Sequence, residues 1–293
     1  MSVTLEQVQE AIVSPQPTFV FTYTPRDVSL YALGVGACAN PMNADELPFV
    51  YELHMEGFKV LPTYPVIFTT QMIEQLISGK MGPIEFNPMM LVHGEQYLQV
   101  FKPIPASATI TSHMKIANIF DKGSGMLVVT HVESFDDLGE KVAFQESSMF
   151  IRGMGGFGGE RGTSAPIFTI PDRAPDAVEE QATLPIQALI YRLSGDINPL
   201  HADPMMAAIG SFDRPILHGL SSFGFAGRAV LKHFCGYDVN KFKSIRARFS
   251  KHVFPSETLI TEMWKLDDTH VAFQTKVKER GDVALSHAVV EIG

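Results

Sequence analysis

Asp196 and His201 stand five residues apart in the run Tyr191-Arg192-Leu193-Ser194-Gly195-Asp196-Ile197-Asn198-Pro199-Leu200-His201. A carboxylate and an imidazole held together can move protons on and off one small substrate. Asn198, between them, can orient the carboxylate or a water. Gly195 lets the backbone turn after an apolar segment. Pro199 fixes its own φ and pushes Asn198 out of the helical region. Asp203-Pro204 reads as an N-cap followed by a first-turn proline, which puts His201 on a loop just before a short helix over 205–209. Gly, Asp, Asn and Pro are also ordinary turn residues. The residue types alone therefore leave a plain turn standing beside a catalytic loop.

The flanking pattern supplies the elements that must hold this loop. Residues 186–193 read as a helix leading into it. Pro215-Ile216-Leu217-His218-Gly219 opens a stretch over 220–234 that is apolar almost all round, the mark of a buried helix. The first N–H groups of such a helix lack intrahelical partners, and Gly219 would let a substrate oxygen approach them closely. His218, at a buried helix start, reads more readily as a structural hydrogen-bonder than as a catalyst. Strands are expected at 245–253, 256–266, 269–279 and 283–292, with Arg280-Gly281-Asp282 as a hairpin turn. The first half has a surface lead-in over 1–17, helical stretches near 25–35 and 66–79, and strands at 110–116, 126–135 and 141–151.

The two halves repeat one programme. Tyr31-Ala32-Leu33-Gly34 parallels Tyr191-Arg192-Leu193-Ser194, Asn40-Pro41 parallels Asn198-Pro199, and Leu91-Val92-His93-Gly94 parallels Ile216-Leu217-His218-Gly219. The expected fold is α+β, two repeats over 1–151 and 183–293, each an antiparallel sheet wrapped on a helix. A Gly/Pro-rich linker over 152–182 joins them. Within it, Gly153-Met154-Gly155-Gly156-Phe157-Gly158 matches the dinucleotide-binding spacing. Arg161-Gly162-Thr163-Ser164-Ala165-Pro166 cannot open the helix whose N-terminus that site needs. The first repeat carries neither carboxylate nor imidazole where the second has Asp196 and His201.

Composition narrows the class. The 293 residues are 45% hydrophobic and 19% charged, as in a globular protein with a sizeable core. A net charge of −9 without a Lys/Arg block argues against nucleic acid as a partner. Two cysteines give no disulfide framework and suit a reducing compartment. The first residues do not read as a signal peptide, and no apolar run reaches membrane-spanning length. The ten histidines are dispersed, with no metal-binding spacing, and no serine-hydrolase elbow or phosphate loop is present.

The loop, together with Pro215-Ile216-Leu217-His218-Gly219, Arg246-Ala247-Arg248-Phe249 and Thr261-Glu262-Met263-Trp264-Lys265, resembles the MaoC-like dehydratases. That hot-dog-fold family includes the R-specific (type-2) 2-enoyl-CoA hydratases and the hydratase domains of peroxisomal multifunctional enzymes. The likeness covers nearly the whole chain. It implies a double hot-dog fold and reversible hydration of trans-2-enoyl-CoA to (3R)-3-hydroxyacyl-CoA in β-oxidation. It implies Asp196, His201, Asn198 and Gly219 as catalytic residues. It places His93, Gly94, Lys122, Ile197, Pro199, Leu200 and Phe249 against the acyl-CoA. Taken alone, Lys122 would be a solvated turn lysine and Phe249 a core residue. No metal or redox cofactor is implied, CoA being part of the substrate. A homodimer is implied, and so is a peroxisomal location, although Glu291-Ile292-Gly293 is no Ser-Lys-Leu-type address and the cytoplasm stays open. Two other readings fit the residues: an acyl-CoA thioesterase on the same fold, and a non-catalytic acyl-CoA binding domain.

Overall fold

The structure, a computed structural model, describes residues 3–162 and 168–293. Residues 163–167 of the expected linker lie outside the described residues. The chain runs α1 (Leu5–Val13), β1 (Thr18–Tyr23), α2 (Pro25–Gly34), α3 (Met72–Ser78), β2 (Lys80–Met81), β3 (Ile84–Glu85) and β4 (Leu91–Val100). A meander follows: β5 (Ala108–Asp121), β6 (Gly125–Phe135) and β7 (Lys141–Arg152). The second half runs β8 (Ala177–Ala182), α4 (Gln187–Tyr191), α5 (Pro204–Ile209), α6 (Gly219–Cys235), β9 (Phe242–Phe249), β10 (Thr258–Lys265), β11 (His270–Val277) and β12 (Val283–Ile292).

Ten strands form one antiparallel sheet in the order β1-β5-β6-β7-β4-β9-β12-β11-β10-β8. The order is symmetric about the β4–β9 pair, where Glu95 lies opposite Arg248 and Leu98 opposite Ile245. Each half is thus one five-stranded repeat, and the two join edge to edge. Joining them removes two exposed strand edges.

α6 is the buried helix of the second repeat, with Phe223, Phe225, Ala226, Val230 and Leu231 in the main core. Small residues let first-repeat side chains come close: a Cβ on Gly224 would lie 2.3 Å from Val35 Cγ1. Among the described residues the first repeat has no helix of this length. In chain order its place falls to a 3-10 turn over Tyr64–Ile67 and the seven-residue α3, so the helical stretch expected over 66–79 is broken.

Three expectations change. Residues 1–17 hold α1, whose Thr4 and Gln7 form a capping box and whose Val8 and Ala11 enter a second core under the meander. The final six residues of the expected linker form edge strand β8, which pairs with β10. Leu91-Val92-His93-Gly94 is not a helix start but the beginning of β4, so its likeness to Ile216-Leu217-His218-Gly219 is local sequence without a shared place in the fold.

The Gly-rich segment after β7 has its own fold logic. The Asp121 carboxylate accepts the N–H groups of Gly123 (2.8 Å), Gly156 (2.8 Å) and Gly158 (3.0 Å). Those hydrogen bonds, that from Gly156 foremost, hold its pKa below the usual carboxylate value. Donors that would cradle a phosphate in a dinucleotide site are spent on an internal carboxylate.

Candidate active site

α4 runs into a 3-10 turn over Arg192–Ser194, and Gly195, at φ +116°, reverses the chain. Glycine tolerates that φ, and a Cβ there would lie 2.5 Å from Thr70 Oγ1. The Asp196 carboxylate accepts the Asn198 N–H at 3.1 Å. The Asn198 side-chain oxygen in turn accepts from Leu200 N, capping the turn Pro199–His201. Asn198 therefore holds Asp196 through its main chain. His201 Nδ1 lies 2.8 Å from the Ile216 carbonyl. A carbonyl only accepts, so Nδ1 carries the proton and Nε2 keeps a lone pair. Asp203 caps α5 by accepting from Met205 N and pins the far side of the turn.

His218 joins this pair. Its ring stacks on His201 with centroids 3.7 Å apart and planes at 27°. Its Nε2 donates to the Asp196 main-chain carbonyl at 3.4 Å. One polar side-chain atom from each of Asp196, His201 and His218 lies within 4.8 Å of the others, the residue types of a metal site.

Burial dominates the electrostatics. It raises the Asp196 carboxyl above its usual range, against the opposing pull of His201, the Asn198 N–H and Arg192. It lowers His201, with Asp196 and the Ile216 carbonyl opposing. It lowers His218 far below an ordinary imidazole, and His201 and Arg192 push the same way. The neutral form of each is favoured.

Gly219 is the first residue of α6, at the positive end of a 17-residue helix. A Cβ on it would lie 3.0 Å from Phe249 Cδ1. Phe249 ends β9, and its ring packs 4.8 Å from that of His93. His93 and Gly94 sit on β4 where its register with β7 shifts, leaving Gly94 unpaired. Burial pulls the His93 imidazole down to about 4. Ile197 is exposed, and Pro199 and Leu200 are half-buried. The structure thus brings Asp196, Asn198 and His201 together, with Gly219, Phe249, His93 and Gly94 in a contiguous row beginning at the neighbour of His218. Lys122 stands apart, in the β5–β6 turn, donating to the Arg161 carbonyl at 2.5 Å. The ladder Val128–Met149–His93 sets Val128 two strand spacings, about 10 Å, from His93, and the Lys122 turn lies beyond that end of β6, before Gly125. His218 was the residue that sequence reasoning set aside; its place in the Leu-His-Gly run was the signal.

The profile of the MFE-2 hydratase 2 N-terminal domain matches residues 21–153, and that of the MaoC like domain matches residues 167–288. A Dictyostelium discoideum protein named probable enoyl-CoA hydratase 2 is 47% identical over 275 residues, covering 93% of this chain and 92% of its own. The chain belongs to the enoyl-CoA hydratase 2 family of MaoC-like dehydratases. An Arabidopsis thaliana member, peroxisomal enoyl-CoA hydratase 2, is 41% identical over 92% of this chain and 90% of its own. The chain spans 37% of the mouse peroxisomal multifunctional enzyme type 2, at 44% identity over 94% of its own length. A MaoC-like dehydratase structure from Phytophthora capsici superposes with a TM-score of 0.88 at 40% identity, covering 98% of this chain and 97% of its own. A Mycobacterium tuberculosis structure described as a double hotdog, 12% identical with a TM-score of 0.58, shares the fold of this hydratase-2 chain.

Proposed function

We propose that this hydratase-2 chain reversibly adds water to trans-2-enoyl-CoA and forms (3R)-3-hydroxyacyl-CoA. The observation that carries the reading is a half-buried carboxyl beside a buried imidazole, with the imidazole lone pair at Nε2 free of hydrogen-bond partners among the described residues in its assigned tautomer. Water held between them attacks C3 and gives its proton to the pair. The pair returns a proton to C2, so atoms balance around one water. The negative charge that builds on the thioester oxygen is met by the Gly219 N–H at the start of α6. No step calls for a metal or redox cofactor. Residues 183–293 supply the chemistry and residues 1–151 most of the groove, where His93 and Gly94, with Phe249 of the second repeat, flank the acyl thioester and Lys122 meets the CoA phosphates. Relatives named as peroxisomal support that compartment, and a homodimer is the assembly proposed.

The test is loss of enoyl-CoA ultraviolet absorbance with chiral analysis of the product. The expected product is the 3R alcohol, with no free CoA thiol released. Thiol release would favour the thioesterase reading. Asp196→Asn, which can neither take nor give a proton, is expected to fold and to lose on the order of 100-fold in turnover. Turnover near wild type in that variant would remove Asp196 from the mechanism.

A further inference from the structure

We propose that His218 is a positioning residue for the Asp196–His201 pair, holding the Asp196 backbone with its ring N–H and the His201 ring with its face. The inference rests on the reading of that pair as the catalyst.

Three contacts fix His218 itself. It is the N-cap of α6, and its carbonyl accepts from Ser221 N at 3.1 Å and Ser222 N at 3.3 Å. Its ring is 1% exposed and lies between Tyr191, centroid 4.9 Å away, and His201, 3.7 Å away. Its Nε2–H points at the Asp196 carbonyl. The helix that presents the Gly219 N–H is therefore tied through one side chain to both members of the pair. Catalytic groups need placement to a fraction of an ångström, and an element fixed at its main chain is a suitable reference.

The tautomer follows from the partners. Nε2 donates, so Nδ1 bears the lone pair, and it is buried without a hydrogen-bond partner among the described residues. The titratable groups packed on the ring are Tyr191 from α4, Arg192 from the next turn, Asp196 from the loop and His201 from the Pro199–His201 turn. None of them accepts a proton from Nδ1, and Arg192 and His201 disfavour charge there. A neutral ring stacked on His201 also walls one face of that imidazole off from water.

Two substitutions separate the contacts. His218→Phe keeps a ring face and removes the donor; His218→Gln keeps a donor and removes the face. Each is expected to lower kcat about tenfold, with KM within about twofold, because misplacement of the pair is felt in the transition state. In the Gln variant water reaches His201, so the acid limb of kcat/KM should move to higher pH; in the Phe variant it should stay. Folded variants with wild-type kcat, or a loss confined to KM with an unmoved limb, would overturn the proposal. Nitrogen-15 spectra of the unsubstituted protein at pH 7 test it without relying on either variant folding. Neutral His201 with its proton on Nδ1 and neutral His218 with its proton on Nε2 are expected; a charged or Nδ1-protonated His218 overturns the assignment. Asp196→Asn runs alongside. If it retains turnover, the catalytic reading fails and this inference with it. If it is inactive while both His218 variants are normal, only the role of His218 falls.

Discussion

At the scale of single residues, burial turns ordinary side chains into chemistry. His201 can accept a proton from water only while neutral, and an unburied histidine is half protonated near pH 6.5. Desolvation lowers the His201 pKa. The sign follows: as pH falls, the proton that silences His201 binds later than usual. The acid limb of kcat/KM should therefore lie below about pH 6.5, and the enzyme should keep more than half its optimum at that pH. A pH–rate profile with a limb centred at or above this value would contradict the assignment. Asp196, Asn198, His201 and Gly219 were legible because each sits in a local run whose turn and cap chemistry can be read directly. The meaning of His218 was not, since it lies in a stack with a ring brought over from another loop.

At the scale of elements, α6 reads from sequence as a buried helix, and it is one, but it carries Arg228 in its interior-facing middle. Arg228 pairs with Glu46 from the first repeat, and its Nε donates to the Val35 carbonyl at 3.3 Å. Glu46 also accepts from Cys38 N at 2.8 Å. No periodicity reveals a partner from so distant a part of the chain. Breaking one side of such a buried pair strands a charge, so Glu46→Ala should cost about 3–5 kcal/mol in urea unfolding. A change below about 1 kcal/mol would show that the arginine finds water instead. The edge strand β8 escaped notice for a related reason: Glu179 and Glu180 suit an edge and hide the alternation of a strand. α1 could have been found, because Thr4-Leu5-Glu6-Gln7 is a capping-box spacing. The Gly-rich segment pinned by Asp121 presents the Arg161 carbonyl to Lys122. If that corner meets CoA phosphates, Lys122→Ala and Asp121→Asn should each raise KM roughly threefold to tenfold with kcat retained, since phosphate contacts are remote from C2 and C3. A pantetheine thioester, lacking the nucleotide, should be insensitive; equal sensitivity of both substrates would remove Lys122 from the CoA site.

At the scale of the molecule, two repeats of one fold have diverged in the residues they carry at corresponding places. The duplication was readable in the Tyr31 and Tyr191 segments, whose rings now lie 6.0 Å apart across the repeat boundary. The β4–β9 seam was not readable, because strand order depends on pairings between distant segments. The first-repeat counterpart of the Asp196–His201 loop is occupied with packing. Gly36 takes φ +78° against the Phe225 ring, and Val35 and Cys38 serve the Arg228–Glu46 cluster. Asp45, the first carboxylate after this segment, is exposed at the surface, and Glu46 beside it is tied up in a buried ion pair. Residues 34–43, committed to clamping α6, hold no carboxylate or imidazole of their own to offer a substrate. One active site per chain is therefore expected. Calorimetric titration with a 3-hydroxyacyl-CoA product should give one tight equivalent per chain, and Asp196→Asn should leave no second activity with its own KM. Two equivalents, or a residual activity with a distinct KM in that variant, would mean that the first repeat still catalyses.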